Sequence, residues 1–171
     1  FNRIYDGLNK KMADAPPARQ KIFKAAMANA NRRRTLTQRG TSSLVVEIKH
    51  KIFDKIVFSK VRDRLGGRLK YAFSGGAAIS REVAEFIDNV GITVYEGYGL
   101  SETSPIATAN RPGAQRIGSV GKPIDGVEII IDTNAVNGTM GDQGEVLIKG
   151  PNVMQGYHNL DEQTAAVMRE D

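Results

Sequence analysis

The sequence predicts an α/β fold in which N-terminal helices lead into part of a parallel α/β sheet. A mostly antiparallel β region follows, read as an open sheet or a small distorted barrel. Three observations predict this. Apolar residues recur at helical spacing through residues 1–67. Residues 68–95 run strand, loop, helix, strand. From residue 117 onward, short apolar strands alternate with turn residues. The segments expected are 1–67, basic and mostly helical; 68–116, α/β; and 117–171, β-rich.

Phe1, Ile4, Tyr5, Leu8 and Met12 lie on one helical face over residues 1–13. Pro16-Pro17 ends that helix and opens the next. Ile22, Phe23, Ala26, Met27 and Ala30 form the second face, closed by Arg32, Arg33 and Arg34, where cations suit a helix C-terminus. Residues 35–43 read as a loop. Ile52, Phe53, Ile56, Val57, Val61 and Leu65 mark a third helix, stopped by Gly66-Gly67. Leu69, Tyr71 and Phe73 alternate as in a strand. Ser80 is the expected N-cap of a helix carrying Glu82, Val83, Ile87 and Val90, with Gly91 as its end. Ile92 to Tyr95 form the next strand, and this short crossover favours a parallel pair. VEIIID (127–132) and GEVLIKG (144–150) are strands, with Pro123, Gly126, Asn137-Gly138 and Gly141 supplying turns. Residues 161–171 read as a short helix.

Composition narrows the function. The 171 residues contain no Cys, which excludes disulfides, thiolate zinc sites and thiol nucleophiles. His50 and His158 are far apart in sequence, so no histidine metal site is expected. No apolar run reaches the length of a membrane span. The start shows no signal-peptide pattern and no Met, so the chain reads as an internal piece of a longer one. The net charge of +5 is unevenly distributed: residues 1–70 hold 18 Lys/Arg against 5 Asp/Glu, residues 71–171 hold 6 against 14. The basic half suits an anionic partner or a solvated helical surface equally well.

Two glycine-containing stretches follow the two strands of the α/β unit. They are Ser74 to Ala78, with Gly75, Gly76 and Ala77, and Glu96 to Gly99, running into Leu100 to Thr103. Ligands of parallel α/β sheets bind outside the carboxyl ends of strands. Gly75 and Gly76 admit a planar ligand close to the backbone. Tyr98 offers a stacking face. Ser101 and Thr103 can donate to phosphate oxygens, and Glu102 can ligate Mg²⁺. The same residues also fit ordinary turns and packing. Neither loop matches GxxxxGK[ST] or GxGxxG, and YGLSET is not the GxSxG of a serine nucleophile. His158, Arg111 and Arg116 read as surface residues, Met140 and Met154 as packing.

Three blocks in order resemble the adenylate-forming (AMP-binding) enzymes. SGGAAIS (74–80) resembles their GGAPL-type loop, YGLSET (98–103) their YGxTE motif, and GEVLIKGPNVMQGY (144–157) their GELxIxGxxVxxGY motif. GSVGKPIDGVE (118–128) fits the segment between the last two. RIYDGLNKKM, APPARQKIF, DKIVFSKVRDRLGGRLKYAFSGGA and EGYGLSETSPIATANRP are similar to long-chain fatty acyl-CoA synthetases. The similarity is weakest at 31–50 and 136–143.

This resemblance implies a piece of the large N-terminal domain of the adenylate-forming fold. It also implies a reaction in which a fatty acid and ATP form acyl-AMP and CoA then displaces AMP. Gly75, Gly76 and Ala77 would line the adenine and acyl-carbonyl region. Glu96, Gly97, Tyr98, Gly99 and Thr103 would bind the nucleotide, with Tyr98 stacking on adenine. Ser101 and Glu102 would act catalytically, Ser101 at the α-phosphate and Glu102 as Mg²⁺ ligand. Gly144-Glu145 and Gly156-Tyr157 would be structural. Ala78-Ile79 and Ser101 depart from the Pro-Leu and Thr of the usual pattern. An SGTTG-type phosphate loop, a TGD motif and a catalytic Lys are expected outside the chain, so the isolated piece is expected to be inactive. The partners implied are fatty acid, ATP, CoA and Mg²⁺, with no nucleic acid. The setting implied is cytoplasmic, with peripheral association at the inner membrane face and self-association as a homodimer. The rival readings are a fatty acyl-AMP ligase or other acyl or aryl adenylating enzyme, and a non-enzymatic basic module binding membrane or nucleic acid.

Overall fold

The computed structural model describes residues 1–135 and 143–169. The turns expected at Asn137-Gly138 and Gly141, the packing role of Met140 and the last two residues of the C-terminal helical segment lie outside the described residues. The chain divides into two compact units. One is Phe1–Phe73 with Ile79–Val94; the other is Ser74–Ala78 with Tyr95–Asp171.

The first unit begins with α1 (Asn2–Ala13) and α2 (Pro17–Gln38), with Pro17 in the first turn where its missing N–H costs nothing. Helix α2 does not end at the arginine triplet. It runs to Gln38, because Arg34 is drawn inward rather than left at a helix terminus. Its guanidinium donates to the Glu85 carbonyl (3.1 Å), Asn89 Oδ1 (2.9 Å), Asn31 Oδ1 (3.0 Å) and Glu85 Oε2 (2.9 Å). Thr35 and Thr37 turn their hydroxyls back onto the Asn31 and Arg33 carbonyls, which keeps them compatible with a helix.

Helix α3 (Leu44–Phe53) passes through a π-helical turn, Asp54–Phe58, into α4 (Ser59–Asp63). The long turn brings Arg62 onto both oxygens of Asp54, at 2.6 and 2.8 Å, and onto the Val90 carbonyl at 2.7 Å. The Arg62 guanidinium holds the Asp54 carboxyl below its ordinary pKa.

Strand β1 (Tyr71–Ser74) is followed by α5 (Arg81–Asn89). Ser80 caps α5 as expected, its hydroxyl accepting from the Val83 N–H at 3.3 Å. The core of this unit gathers Ala26, Ala30, Phe58, Val83, Phe86, Ile87, Val90, Ile92 and Val94. Tyr5 packs edge-on against Phe86 and hydrogen-bonds Glu82. Burial makes the Asp88 carboxyl harder to ionise, and Arg34 works against that shift.

Strand β2 (Thr93–Tyr98) carries the chain into the second unit, which adds β3 (Thr108–Ala109) and β4 (Lys122–Pro123). The sheet is mixed and ordered β1-β2-β3-β4, with β2–β3 and β3–β4 antiparallel. Strands β5 (Glu128–Asp132) and β6 (Glu145–Lys149) pair antiparallel, with Ile129 opposite Ile148 and Ile131 opposite Val146. The β region is antiparallel as expected. Among the described residues it does not close into a barrel, because β5 and β6 form a sheet of two strands and closure needs several more. Helix α6 (Asp161–Val167) follows. No helix among the described residues is long and apolar enough to cross a membrane.

Phe58 is fully buried. Truncating it (Phe58→Ala) should cost about 3–5 kcal/mol, measured as a lowered urea midpoint at unchanged slope; a loss under about 1 kcal/mol would contradict this packing.

Candidate functional site

Strand β2 extends three residues beyond the expected Tyr95, so Glu96, Gly97 and Tyr98 lie on the strand and not on a loop. The register explains this: Gly97 pairs with Ala109 and Tyr98 with Thr108. These partners lie twelve and ten residues ahead in a two-residue strand, too short to carry a periodicity of its own. Glu96 is buried, and its carbonyl accepts from the Asn110 backbone N–H at 2.8 Å. Asn110 also donates its side-chain amide to the Ser119 carbonyl and accepts from the Arg116 N–H, so the 111–119 segment folds back toward β3.

After Tyr98 the chain turns sharply. A Cβ on Gly99 would sit 1.7 Å from the Pro105 carbonyl oxygen, so only glycine allows this approach. The turn between them contains a short 3₁₀ segment, Ser101–Thr103, followed by Ser104 in the left-handed region at φ 52°. Thr103 is 2% exposed. Its hydroxyl accepts from the Leu100 N–H at 2.9 Å and lies 3.1 and 3.0 Å from the Leu100 and Pro105 carbonyls. Thr103 therefore braces the turn from inside, and its hydroxyl is already occupied. Ser101 is exposed on the outer side.

Glu102 is held at two points by residues about fifty positions downstream. Its carbonyl accepts from the Met154 N–H at 2.7 Å, and its carboxylate accepts from the Tyr157 hydroxyl at 2.6 Å. Asn152 donates to the Thr103 and Ile106 carbonyls at 2.9 and 2.7 Å. The Tyr157 hydroxyl holds the Glu102 carboxyl below its usual range, and Glu102 in turn raises the Tyr157 phenol. Met154 thus meets the turn through its backbone. The residues missed by sequence reasoning are Asn152, which was given no role, and Tyr157, which was read as structural. Their only signal was membership of the 144–157 block.

Gly75, Gly76, Ala77 and Ala78 are exposed in a bend after β1, and Gly76 has a positive φ of 81°. They belong to the same compact unit as the 95–106 segment. That unit thus brings both glycine-containing stretches together, with Tyr98 half-buried, Ser101 exposed and Glu102 half-buried. Among the described residues no cluster of three or more His, Asp or Glu could hold a metal on its own. A single ionised carboxylate beside an exposed hydroxyl suits a cation that brings most of its ligands with it, as Mg²⁺ does on a nucleotide.

A family model described as "AMP-binding enzyme" matches residues 10–158. The chain belongs to this family. It is 34% identical over 177 residues to the long chain acyl-CoA synthetase 6, peroxisomal, of Arabidopsis thaliana, covering all of this chain and 24% of that protein. It is 35% identical over 164 residues to the long-chain-fatty-acid–CoA ligase FadD15 of Mycobacterium bovis, covering 96% of this chain and 26% of that one. Among solved structures, it resembles O-succinylbenzoate coenzyme A synthetase of Bacillus subtilis in complex with ATP and magnesium ion. That likeness has 25% identity and TM-score 0.51 and covers 65% of this chain and 25% of that one. The chain therefore spans about a quarter of the length of these relatives.

Gly99→Ala should open the turn. Hydrogen exchange at the Ala107 amide, which donates to the Tyr98 carbonyl at 2.9 Å, should quicken by about tenfold or more. Unchanged protection would show that the turn tolerates a side chain.

Proposed function

We propose that this chain carries the nucleotide-binding turn of a long-chain fatty acid–CoA ligase. The observation that carries the reading is the 99–106 turn, which presents Ser101 outward and fixes Glu102 from two sides. In the reaction proposed, a fatty acid carboxylate oxygen attacks the α-phosphorus of ATP and the bond to pyrophosphate breaks, giving acyl-AMP. The CoA sulfur then attacks the acyl carbonyl, losing its proton, and AMP leaves with the C–O bonding pair.

Tyr98 would stack on adenine beside Gly97 and Gly99, with Glu96 fixing the strand from within. Gly75, Gly76 and Ala77 would border the base and the acyl carbonyl. Ser101 would donate to the α-phosphate, and Glu102 would hold Mg²⁺. Bound there, Mg²⁺ would neutralise phosphate charge. Thr103 would contribute by bracing the turn. Long-chain specificity is supported by the names of the two relatives above and by no pocket geometry. Electrostatic positioning needs phosphate-binding groups on several sides, so the 171-residue chain by itself should not turn over.

In the full-length protein, Glu102→Gln keeps an acceptor for Tyr157 and loses the charge. It should lower palmitate-dependent ATP–pyrophosphate exchange about 100-fold. Tyr98→Ala should raise the KM for ATP about tenfold. Wild-type exchange with both substitutions would refute the placement of the nucleotide. Wild-type protein that exchanges with palmitate yet forms no thioester on adding CoA would be an acyl-AMP ligase instead.

The surface of the first unit supports a peripheral membrane role on the anionic cytoplasmic face. Leu44, Ile48, Ile52 and Ile56 form an i, i+4 row along α3 and its continuation, each 42–76% exposed. Exposed Lys49, Lys51, Lys55 and Lys60 accompany that row. An apolar row with lysines beside it fits an interfacial helix on anionic lipid. The full-length protein should sediment with phosphatidylserine vesicles at low salt. Paired Lys51→Glu and Lys55→Glu substitutions should cut that binding at least about tenfold. Equal binding to neutral vesicles, or none at low salt, would exclude this role.

A further inference from the structure

We propose that Tyr157 is a positioning residue for the cation: it fixes the Glu102 carboxylate in the orientation that receives Mg²⁺, and helix α6 holds Tyr157 in place to do so. This rests on the reading of Glu102 as the Mg²⁺ ligand.

The geometry runs in one direction. Thr164 of α6 donates its hydroxyl to the Leu160 carbonyl at 2.9 Å and accepts the backbone N–H of Tyr157 at 2.9 Å. Immediately before Tyr157 stands Gly156 at φ 148°, where a Cβ would come within 2.8 Å of the Thr164 methyl. The missing side chain lets the 156–157 backbone lie against α6 closely enough for that bond. From this anchored backbone the Tyr157 phenol reaches across 55 positions of sequence to Glu102 Oε1 at 2.6 Å. The Met154 N–H meanwhile fixes the Glu102 carbonyl at 2.7 Å. One short stretch, 154–157, therefore sets both ends of the Glu102 residue.

The chemistry of this contact favours ligation. Glu carries several freely rotating bonds, and ordering them opposes binding of any ligand. The Tyr157 hydroxyl donates its single proton to Oε1 and so spends that ordering before a cation arrives. That bond engages Oε1, and Mg²⁺ on a nucleotide needs only one or two protein carboxylate oxygens. A phenylalanine of the same shape would pack alike and lack this donor. The pattern is the outer-shell hydrogen bond that orients a metal-binding carboxylate.

The test uses the full-length protein, with Mn²⁺ as the probe and a non-hydrolysable ATP analogue bound. Free Mn²⁺ is followed by electron paramagnetic resonance. Tyr157→Phe should weaken Mn²⁺ binding about three- to tenfold and raise the Mg²⁺ concentration for half-maximal exchange by the same factor. The rate at saturating Mg²⁺ and the KM for fatty acid should stay unchanged. Thr164→Val keeps the phenol and removes only its anchor; it should shift both Mg²⁺ and Mn²⁺ dependence in the same direction by a smaller factor. That second variant carries the test if Tyr157→Phe does not fold. Tyr157→Phe and Thr164→Val with wild-type Mn²⁺ affinity, alongside a Glu102→Gln protein that has lost it, would overturn the role of Tyr157 and spare that of Glu102. If Glu102→Gln itself binds Mn²⁺ normally, both ideas fall. A loss of rate equal at all Mg²⁺ concentrations would show that Tyr157 is merely structural.

Discussion

The candidate site depends on a backbone contact that no side chain would permit, where the Pro105 carbonyl closes onto Gly99. Because the chain can double back this tightly, Thr103 goes inside and saturates the turn's own polar groups. A buried hydroxyl left unpaired would be costly, and here the turn supplies its partners. With Thr103 committed inward, its neighbours Ser101 and Glu102 stand on the outer side. The downstream segment then locks the turn through Asn152, the Met154 N–H and the Tyr157 hydroxyl. Two parts of the sequence that read as separate motifs are thus one piece of machinery.

The first unit uses its positive charge in two ways. Arginines are drawn into fixed pairs: Arg34 with Glu85 and Asn89, and Arg62 with Asp54 and the Val90 carbonyl. Planar guanidinium groups suit such multiple bonds. The lysines of α3 and its continuation stay exposed, where flexible ammonium groups are well hydrated. The excess of basic residues in the first seventy positions is therefore part scaffold and part surface. Composition could not separate the two.

Elements set by local chemistry were legible in the sequence. Helix α5 was readable from Ser80, its apolar spacing and Gly91, and β5 and β6 were readable as apolar runs between turns. What failed to show were features decided by distant partners. Helix α2 outlasts the arginine triplet because Arg34 finds Glu85, 51 residues away. Strand β2 outlasts Tyr95 because β3 pairs with it, and β3 has two residues. Of the two forms expected for the β region, open sheet or small barrel, the described residues show the open one, with β5 paired to β6. In the candidate site, the glycines and hydroxyls were legible as a polar turn after a strand. The division of labour within it, Thr103 inward and Glu102 braced by Tyr157, rests on contacts that no local pattern encodes.

The role of Glu102 is tested most directly by a crystal structure of the full-length protein with Mn²⁺ and a non-hydrolysable ATP analogue, read by anomalous scattering. A Mn²⁺ peak is expected within about 2.5 Å of a Glu102 carboxylate oxygen, with Tyr157 on the other oxygen and adenine against Tyr98. A Mn²⁺–nucleotide complex bound elsewhere, with Glu102 and Tyr157 still paired and empty, would contradict it.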